Sequence, residues 1–132
     1  MGLGKKNNKT QYSRKKTDFG VSSMVSTLKT VGMLKPMEAL KRADPNKWHY
    51  GQAFDPVKIE NNYSSFIKIL TSLDVEILWM TPKYNENADS VFTYDPSFMT
   101  QKGAILLSPG KSLRKGEEKI HQEFYKKNNI PI

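Results

Sequence analysis

An amphipathic helix followed almost at once by a strand most constrains the fold of this chain. Asp55 and Pro56 are typical of a helix start, because a capping acid precedes a proline in the first turn. Apolar residues then recur at spacings of three and four, which predicts one buried stripe on a helix at about residues 56–72. Residues 75–80, with the sequence VEILWM, are predicted to form a strand. This alternation indicates an α/β fold.

The remaining elements continue the alternation. Strands are predicted at residues 21–34, 91–94 and 103–107, and a second long helix at 112–127. Pro96 is expected to close the 91–94 strand, because proline cannot donate to a sheet ladder. Residues 130–132 are expected to open another strand. Trp48 and Tyr50 lie in a predicted loop, where they either pack at an edge of the core or form a lid or cleft wall.

Composition limits the chemistry of the chain. Its 132 residues suit one domain, and the absence of cysteine excludes disulfides, cysteine–zinc sites and a cysteine nucleophile within it. Most of the net charge of +8 lies in residues 1–20, which are predicted to form a basic disordered tail before a domain at 21–132. No apolar run is long enough to span a bilayer. A cytoplasmic location is expected, and no membrane partner.

Three charged residues suggest a binding site for an amino acid with a guanidino side chain. Asp89 and Asp95 lie six residues apart, where they are expected at the two ends of the short predicted strand around Phe92. Each carboxylate can accept paired N–H bonds from a planar cation such as a guanidinium. Arg114 follows the Pro109-Gly110 turn and can hold a carboxylate.

Several segments, in this order and spacing, resemble the guanidino-group-modifying enzymes. These are dimethylarginine dimethylaminohydrolase, arginine deiminase and glycine amidinotransferase, with the first branch most similar. The resemblance covers about residues 27–132 and depends on the segments ADPNKW at 43–48, DSVFTYDP at 89–96, GAILLSPG at 103–110 and RKGEE at 114–118.

The resemblance implies a five-bladed α/β propeller of ββαβ modules, a pentein-like fold that is incomplete in this chain. It implies that Asp89 and Asp95 contact the substrate, that Phe92 packs against the guanidinium region, and that Arg114 binds the substrate carboxylate. The loop holding Trp48 falls where relatives carry a lid. No metal or organic cofactor is implied.

The chain also departs from the family pattern. Tyr94 stands where related hydrolases often have glutamate and deiminases arginine, which leaves the substrate preference open. The Gly-Gly-Asp segment, the catalytic histidine and the cysteine nucleophile of the family would lie beyond residue 132. His49 and His121 are not expected to replace that histidine, since His121 is predicted on the solvated side of its helix. The chain alone is therefore expected to be inert towards guanidines.

The sequence thus predicts the N-terminal part of a hydrolase that acts on arginine or methylarginine and forms citrulline. An amidinotransferase of the same superfamily is the first alternative, and a non-catalytic or split fragment the second. A fragment of a propeller leaves apolar faces uncovered, so self-association into a homo-oligomer or docking to a complementary chain is expected. Nucleic-acid binding by the basic tail is a weaker alternative, which the nearly neutral remainder disfavours.

Overall fold

The structure is a computed structural model that describes residues 19–36, 38–83 and 86–132. Most of the predicted basic tail, residues 1–18, lies outside the described residues. The elements in chain order are β1 (Thr30–Met33), α1 (Glu38–Lys41), α2 (Pro45–Trp48), α3 (Pro56–Ser72), β2 (Glu76–Trp79), β3 (Ser97–Thr100), β4 (Gly103–Leu106) and α4 (Glu117–Lys127). Two 3₁₀ turns, Ala88–Val91 and Ser112–Arg114, precede β3 and α4 respectively.

The unit formed by β1, α3 and β2 confirms the strongest sequence prediction. Helix α3 spans the predicted residues 56–72, and the Asp55 carboxylate accepts hydrogen bonds from the backbone N–H groups of Val57 and Lys58 at 3.0 and 3.1 Å. Strands β1 and β2 pair in parallel, with Thr30 opposite Glu76. The strand predicted at residues 21–34 is shorter than expected, because only the four residues of β1 find partners in the four-residue β2.

The prediction of a strand at residues 91–94 is wrong. This segment contains part of a 3₁₀ turn, in which the N–H of Phe92 donates to the carbonyl of Asp89 at 2.9 Å and the Ser90 hydroxyl donates to the carbonyl of Asn87 at 2.7 Å. Pro96 does not end a strand; it directly precedes β3, a position that proline tolerates. Strands β3 and β4 form an antiparallel hairpin, which confirms the strand predicted near 103–107.

The helix predicted at 112–127 is interrupted. Gly116 adopts a left-handed conformation with φ of 96°, which separates the short 3₁₀ turn from α4. The predicted strand at 130–132 does not form, although the Pro131 carbonyl accepts a hydrogen bond from the Ala104 N–H at 2.8 Å. Helix α4 covers the main core, which consists of Leu34, Met80, Ala104, Phe124, Tyr125 and Ile130. The helices of the described residues are too short or too polar to cross a bilayer.

The prediction that His121 faces solvent is wrong, since its side chain is 1% exposed. Its Nδ1 lies 2.8 Å from the Ser97 hydroxyl, which in turn lies 2.6 Å from the Tyr125 hydroxyl. His121 follows Glu117 by four residues and precedes Tyr125 by four, so all three share the buried face of α4. Burial lowers the pKa of His121 to about 4, and the positive charge of Arg114 adds to the shift.

Gly103 gives a first testable prediction. Its φ is +146°, and a Cβ added there would lie 2.5 Å from the Pro131 carbonyl oxygen. We expect Gly103→Ala to lower the free energy of unfolding by about 2 kcal/mol, because it strains the backbone and breaks the contact between β4 and the following segment. Urea denaturation measures this. Gly110→Ala is the matched control, since nothing lies within 4 Å of its Cβ position; equal losses in both variants would contradict the prediction.

Candidate functional site

An open cleft of about 540 Å³ brings together three of the four residues predicted to bind substrate. Asp89, Asp95 and Arg114 line it, with the turn at residues 107–110 and Lys111. Asp89 lies in the first 3₁₀ turn, and Arg114 is the last residue of the second. Asp95 lies two residues before the start of β3. The fourth predicted residue, Phe92, is not part of the cleft lining; its side chain is 44% exposed.

Arg114 is buried, and its guanidinium already has several acceptors. Its Nε lies 3.0 Å and its Nη2 2.7 Å from Oε2 of Glu117, while Nη1 donates to Asp95 and Nη2 to the carbonyl of Phe92 at 3.4 Å. Burial alone would lower the pKa of Arg114, but the bonds to Glu117 and Asp95 outweigh it and raise that pKa above its usual value. Arg114 is therefore a permanent cation at the base of the cleft.

Glu117 lies in the first turn of α4, but it is not a solvated charge. Its side chain is fully buried, because it lies three residues after Arg114 and reaches back across the Gly116 turn to form a two-point ion pair. Burial raises the pKa of Glu117, and the Arg114 guanidinium opposes that shift. Glu118 instead accepts a hydrogen bond from the Gly116 N–H at 3.0 Å.

Asp95 is the more accessible of the two cleft aspartates. Its side chain is 34% exposed, against 8% for Asp89. One Asp95 oxygen accepts from Arg114, and the other has no hydrogen-bond partner among the described residues. The site has more negative than positive charges. Its carboxylates are Asp89, Asp95 and Glu117, and its cations are Lys111 and Arg114. That balance suits a cationic ligand group at Asp95.

Both oxygens of Asp89 already accept hydrogen bonds from Tyr50 and Lys111, neither of which was predicted to bind substrate. The Tyr50 hydroxyl donates to one oxygen, and the Lys111 ammonium donates to the other at 2.8 Å. Burial raises the pKa of Tyr50, and the neighbouring Asp89 carboxylate raises it further. Lys111 directly follows the Pro109-Gly110 turn, a position that could have drawn attention to it.

The structure confirms the prediction that Trp48 packs at an edge of the core. It is buried in a cluster with Leu40 and Ala88, against which Tyr50 and Phe54 pack. Tyr50 does not line the cleft, although its hydroxyl donates a hydrogen bond to the cleft residue Asp89. Among the residues that the structure describes, no three histidines or carboxylates are grouped so that they could hold a metal ion.

Comparisons with known proteins find similarity to one type of enzyme. A curated N(G),N(G)-dimethylarginine dimethylaminohydrolase from Pseudomonas aeruginosa is 35% identical over 75 residues, which is 57% of this chain and 29% of the relative. A solved structure of that enzyme type from the same organism, a cysteine-to-serine mutant complexed with citrulline, gives a TM-score of 0.63 at 26% identity, covering 80% of this chain and 40% of that one. No protein-family model matches the chain.

A second solved structure supports the same assignment. A dimethylarginine dimethylaminohydrolase adduct with 4-chloro-2-hydroxymethylpyridine gives a TM-score of 0.59 at 28% identity, covering 76% of this chain and 37% of that one. The chain is therefore similar in sequence and in fold to the α/β-propeller superfamily of guanidino-group-modifying enzymes. Within that superfamily, the relatives described here are dimethylarginine dimethylaminohydrolases, and the chain spans less than half of their length.

Proposed function

We propose that this chain is the N-terminal part of a hydrolase that acts on arginine or a methylated arginine and forms citrulline. The observation that supports this most is the meeting of Asp89, Asp95 and Arg114 in one cleft of excess negative charge. The similarity to dimethylarginine dimethylaminohydrolases supports the same substrate class. A cytoplasmic location is part of the proposal.

In this proposal, Asp95 is the first contact for the guanidinium of the substrate. One of its oxygens lacks a partner among the described residues, and the other is bonded to Arg114 Nη1. A substrate guanidinium can bond to the free oxygen while Arg114 keeps the other, and Arg114 would bind the substrate carboxylate after its Nη1 turns away from Asp95. Asp89 adds negative charge and accepts a substrate N–H when Tyr50 or Lys111 releases it. Phe92 lies outside the cleft lining, so it would pack against the guanidinium region only after its exposed ring turned towards the cleft.

The covalent chemistry would come from polypeptide outside this chain. A cysteine thiolate there adds to the guanidinium carbon, a histidine protonates the leaving amine, and a thiouronium-like intermediate remains. Water then adds to the same carbon and the thiolate leaves, which yields citrulline. The described residues bind and orient the substrate, and no cofactor takes part. The chain alone should therefore release no citrulline.

An amidinotransferase would share the first covalent step and use an amine in place of water. Measuring whether arginine consumption by the complete enzyme requires an acceptor such as glycine separates the two reactions. Citrulline release without an amine supports the hydrolase.

The β3–β4 hairpin supports the expectation that further polypeptide covers this chain. Phe98 and Ile105 are paired in the hairpin register and are 59% and 53% exposed, and Leu107 nearby is 42% exposed. An apolar face of this kind is a usual site of association. We propose that a complementary chain, or a second copy, covers it in the working protein. A sharp monomer peak in gel filtration together with cooperative melting would argue against this.

Asp95→Asn tests the assignment of the site. In the complete enzyme we expect KM to rise at least about tenfold or turnover to be lost, because the amide cannot supply the charged acceptor that a guanidinium needs. Citrulline release measures the kinetics and circular dichroism checks the fold, which should persist. Asp74→Asn, at an exposed residue distant in sequence, is the control. Unchanged kinetics in Asp95→Asn would overturn the assignment.

A further inference from the structure

The ammonium group of Lys111 makes contacts with two separate segments beside the cleft. It donates to Asp89 at 2.8 Å and to the backbone carbonyl of Trp48 at 2.8 Å. It also lies 4.7 Å from the centre of the Trp48 ring and 5.7 Å from that of Tyr50, so it faces the π-electrons of both rings. Residues 48–54, which carry these aromatic side chains, are called the aromatic loop below.

Asp89 provides the second attachment of the aromatic loop. Its remaining oxygen accepts the hydrogen bond from the Tyr50 hydroxyl, and the Tyr50 ring stacks on Phe54 with 4.7 Å between ring centres. The Asp89 carboxylate thus holds the aromatic loop directly, through the bond from Tyr50, and indirectly, through Lys111, which also bonds to the Trp48 carbonyl. These bonds involve charged groups in a largely buried place, where Asp89 is 8% exposed, and such bonds are stronger than those between neutral groups.

The backbone of the aromatic loop needs such attachments. His49 has a φ of 62° and Gly51 a φ of 74°, so the loop turns through the left-handed region twice within three residues. For a residue other than glycine this conformation costs free energy, and it persists only where surrounding contacts impose it. Backbone bonds at the end of α2, from the His49 N–H to the Asn46 carbonyl at 3.3 Å and from the Tyr50 N–H to the Pro45 carbonyl at 2.9 Å, hold this conformation, and the contacts of Lys111 and Tyr50 with Asp89 add to them.

We propose that Lys111 is a positioning residue that clamps the aromatic loop to Asp89 beside the cleft. It serves as a built-in counterion for Asp89, so a ligand cation reaches that carboxylate only by exchange with Lys111 or Tyr50. Occupation of the cleft and release of the loop are thereby coupled. The clamp consists of contacts within this chain and exists without a ligand, so it can be tested independently of the proposed function.

Lys111→Met tests the clamp through Trp48. All variants carry Trp79→Phe, which leaves Trp48 as the only tryptophan in the chain. We expect Lys111→Met to shift the Trp48 emission to longer wavelength and to increase its quenching by acrylamide. Amide hydrogen exchange within residues 48–54 should become faster on the order of tenfold, because the loop opens locally more often. Circular dichroism checks that the fold persists.

Two further variants separate the clamp from a general loss of charge or stability. Lys115→Met removes an exposed lysine four residues away and should leave the Trp48 emission and the loop exchange unchanged. Lys111→Arg keeps a cation within reach of Asp89 and should restore most of the protection. If Lys111→Met matches the parent protein in both measurements, or if Lys115→Met changes them equally, the clamp does not exist.

Discussion

Replacing Glu117 with glutamine is expected to lower the free energy of unfolding by roughly 3 kcal/mol. Glu117 is fully buried and holds two nitrogens of Arg114, whose side chain is 9% exposed. Without the carboxylate, Asp95 is the remaining anion paired with this guanidinium, and the buried cation is only partly compensated. Removing one partner of a buried ion pair costs more than the pair contributes, because the other charge stays out of water. Urea denaturation followed by circular dichroism measures the loss.

Glu123→Gln is the matched control for this substitution. It makes the same chemical change on the same helix, but at an exposed position, and should alter the unfolding free energy by less than about 0.5 kcal/mol. A double variant, Arg114→Met with Glu117→Leu, adds a second comparison. Because it removes both charges, it should be more stable than Glu117→Gln alone. If Glu117→Gln and Glu123→Gln had equal midpoints, the ion pair would not contribute to the fold.

The elements predicted correctly are those whose signals are local. The Asp55-Pro56 cap and the apolar stripe after it determine α3 almost to the residue, since capping and periodicity act within a few positions. The prediction of a strand at residues 91–94 was wrong because local hydrogen bonds decide the structure there as well. The β-branched and aromatic residues of this segment favour a strand, but the backbone bond from Phe92 to Asp89 and the side-chain bond from Ser90 to Asn87 close a 3₁₀ turn instead.

The site was predicted only in part, because several of its contacts join residues that are far apart in sequence. Asp89, Asp95 and Arg114 followed from charge, spacing and the resemblance, and the structure places them in one cleft. Tyr50 lies 39 residues before its partner Asp89, and no local pattern links them. Lys111 lies 22 residues after Asp89, and only its position after the Pro-Gly turn hinted at a role.

The buried face of α4 shows a second reason why parts of the structure could not be predicted from the sequence. His121 is polar and was predicted on the solvated side of its helix, yet both it and Glu117 are buried with specific partners. A polar residue on a core-facing position is stable when its hydrogen bonds are made within the protein. The spacing of four between Glu117, His121 and Tyr125 was visible in the sequence, but their partners Arg114 and Ser97 were not.

Acidification is expected to destabilise the protein through His121. The pKa of His121 is about 4 in the folded chain, against an ordinary value of 6.5, because burial disfavours the charged ring and Arg114 repels it. Below pH 6.5 the unfolded chain therefore binds a proton that the folded chain excludes. The free energy of unfolding that comes from keeping His121 neutral is fully present above pH 6.5. As the pH falls towards 4, up to about 3 kcal/mol of it is lost.

His121→Asn isolates this contribution from those of the carboxylates. Asparagine retains a polar group that can bond to Ser97 but does not titrate, so the difference in unfolding free energy between parent and variant should shrink as the pH falls from 7 to 4. Urea denaturation at several pH values measures that difference. His49→Asn makes the same substitution at an exposed position whose left-handed backbone suits asparagine, and is measured alongside as the control for the substitution itself. A difference for His121→Asn that does not change with pH would mean that the folded chain accepts the charged ring, and that burial on α4 does not keep His121 neutral.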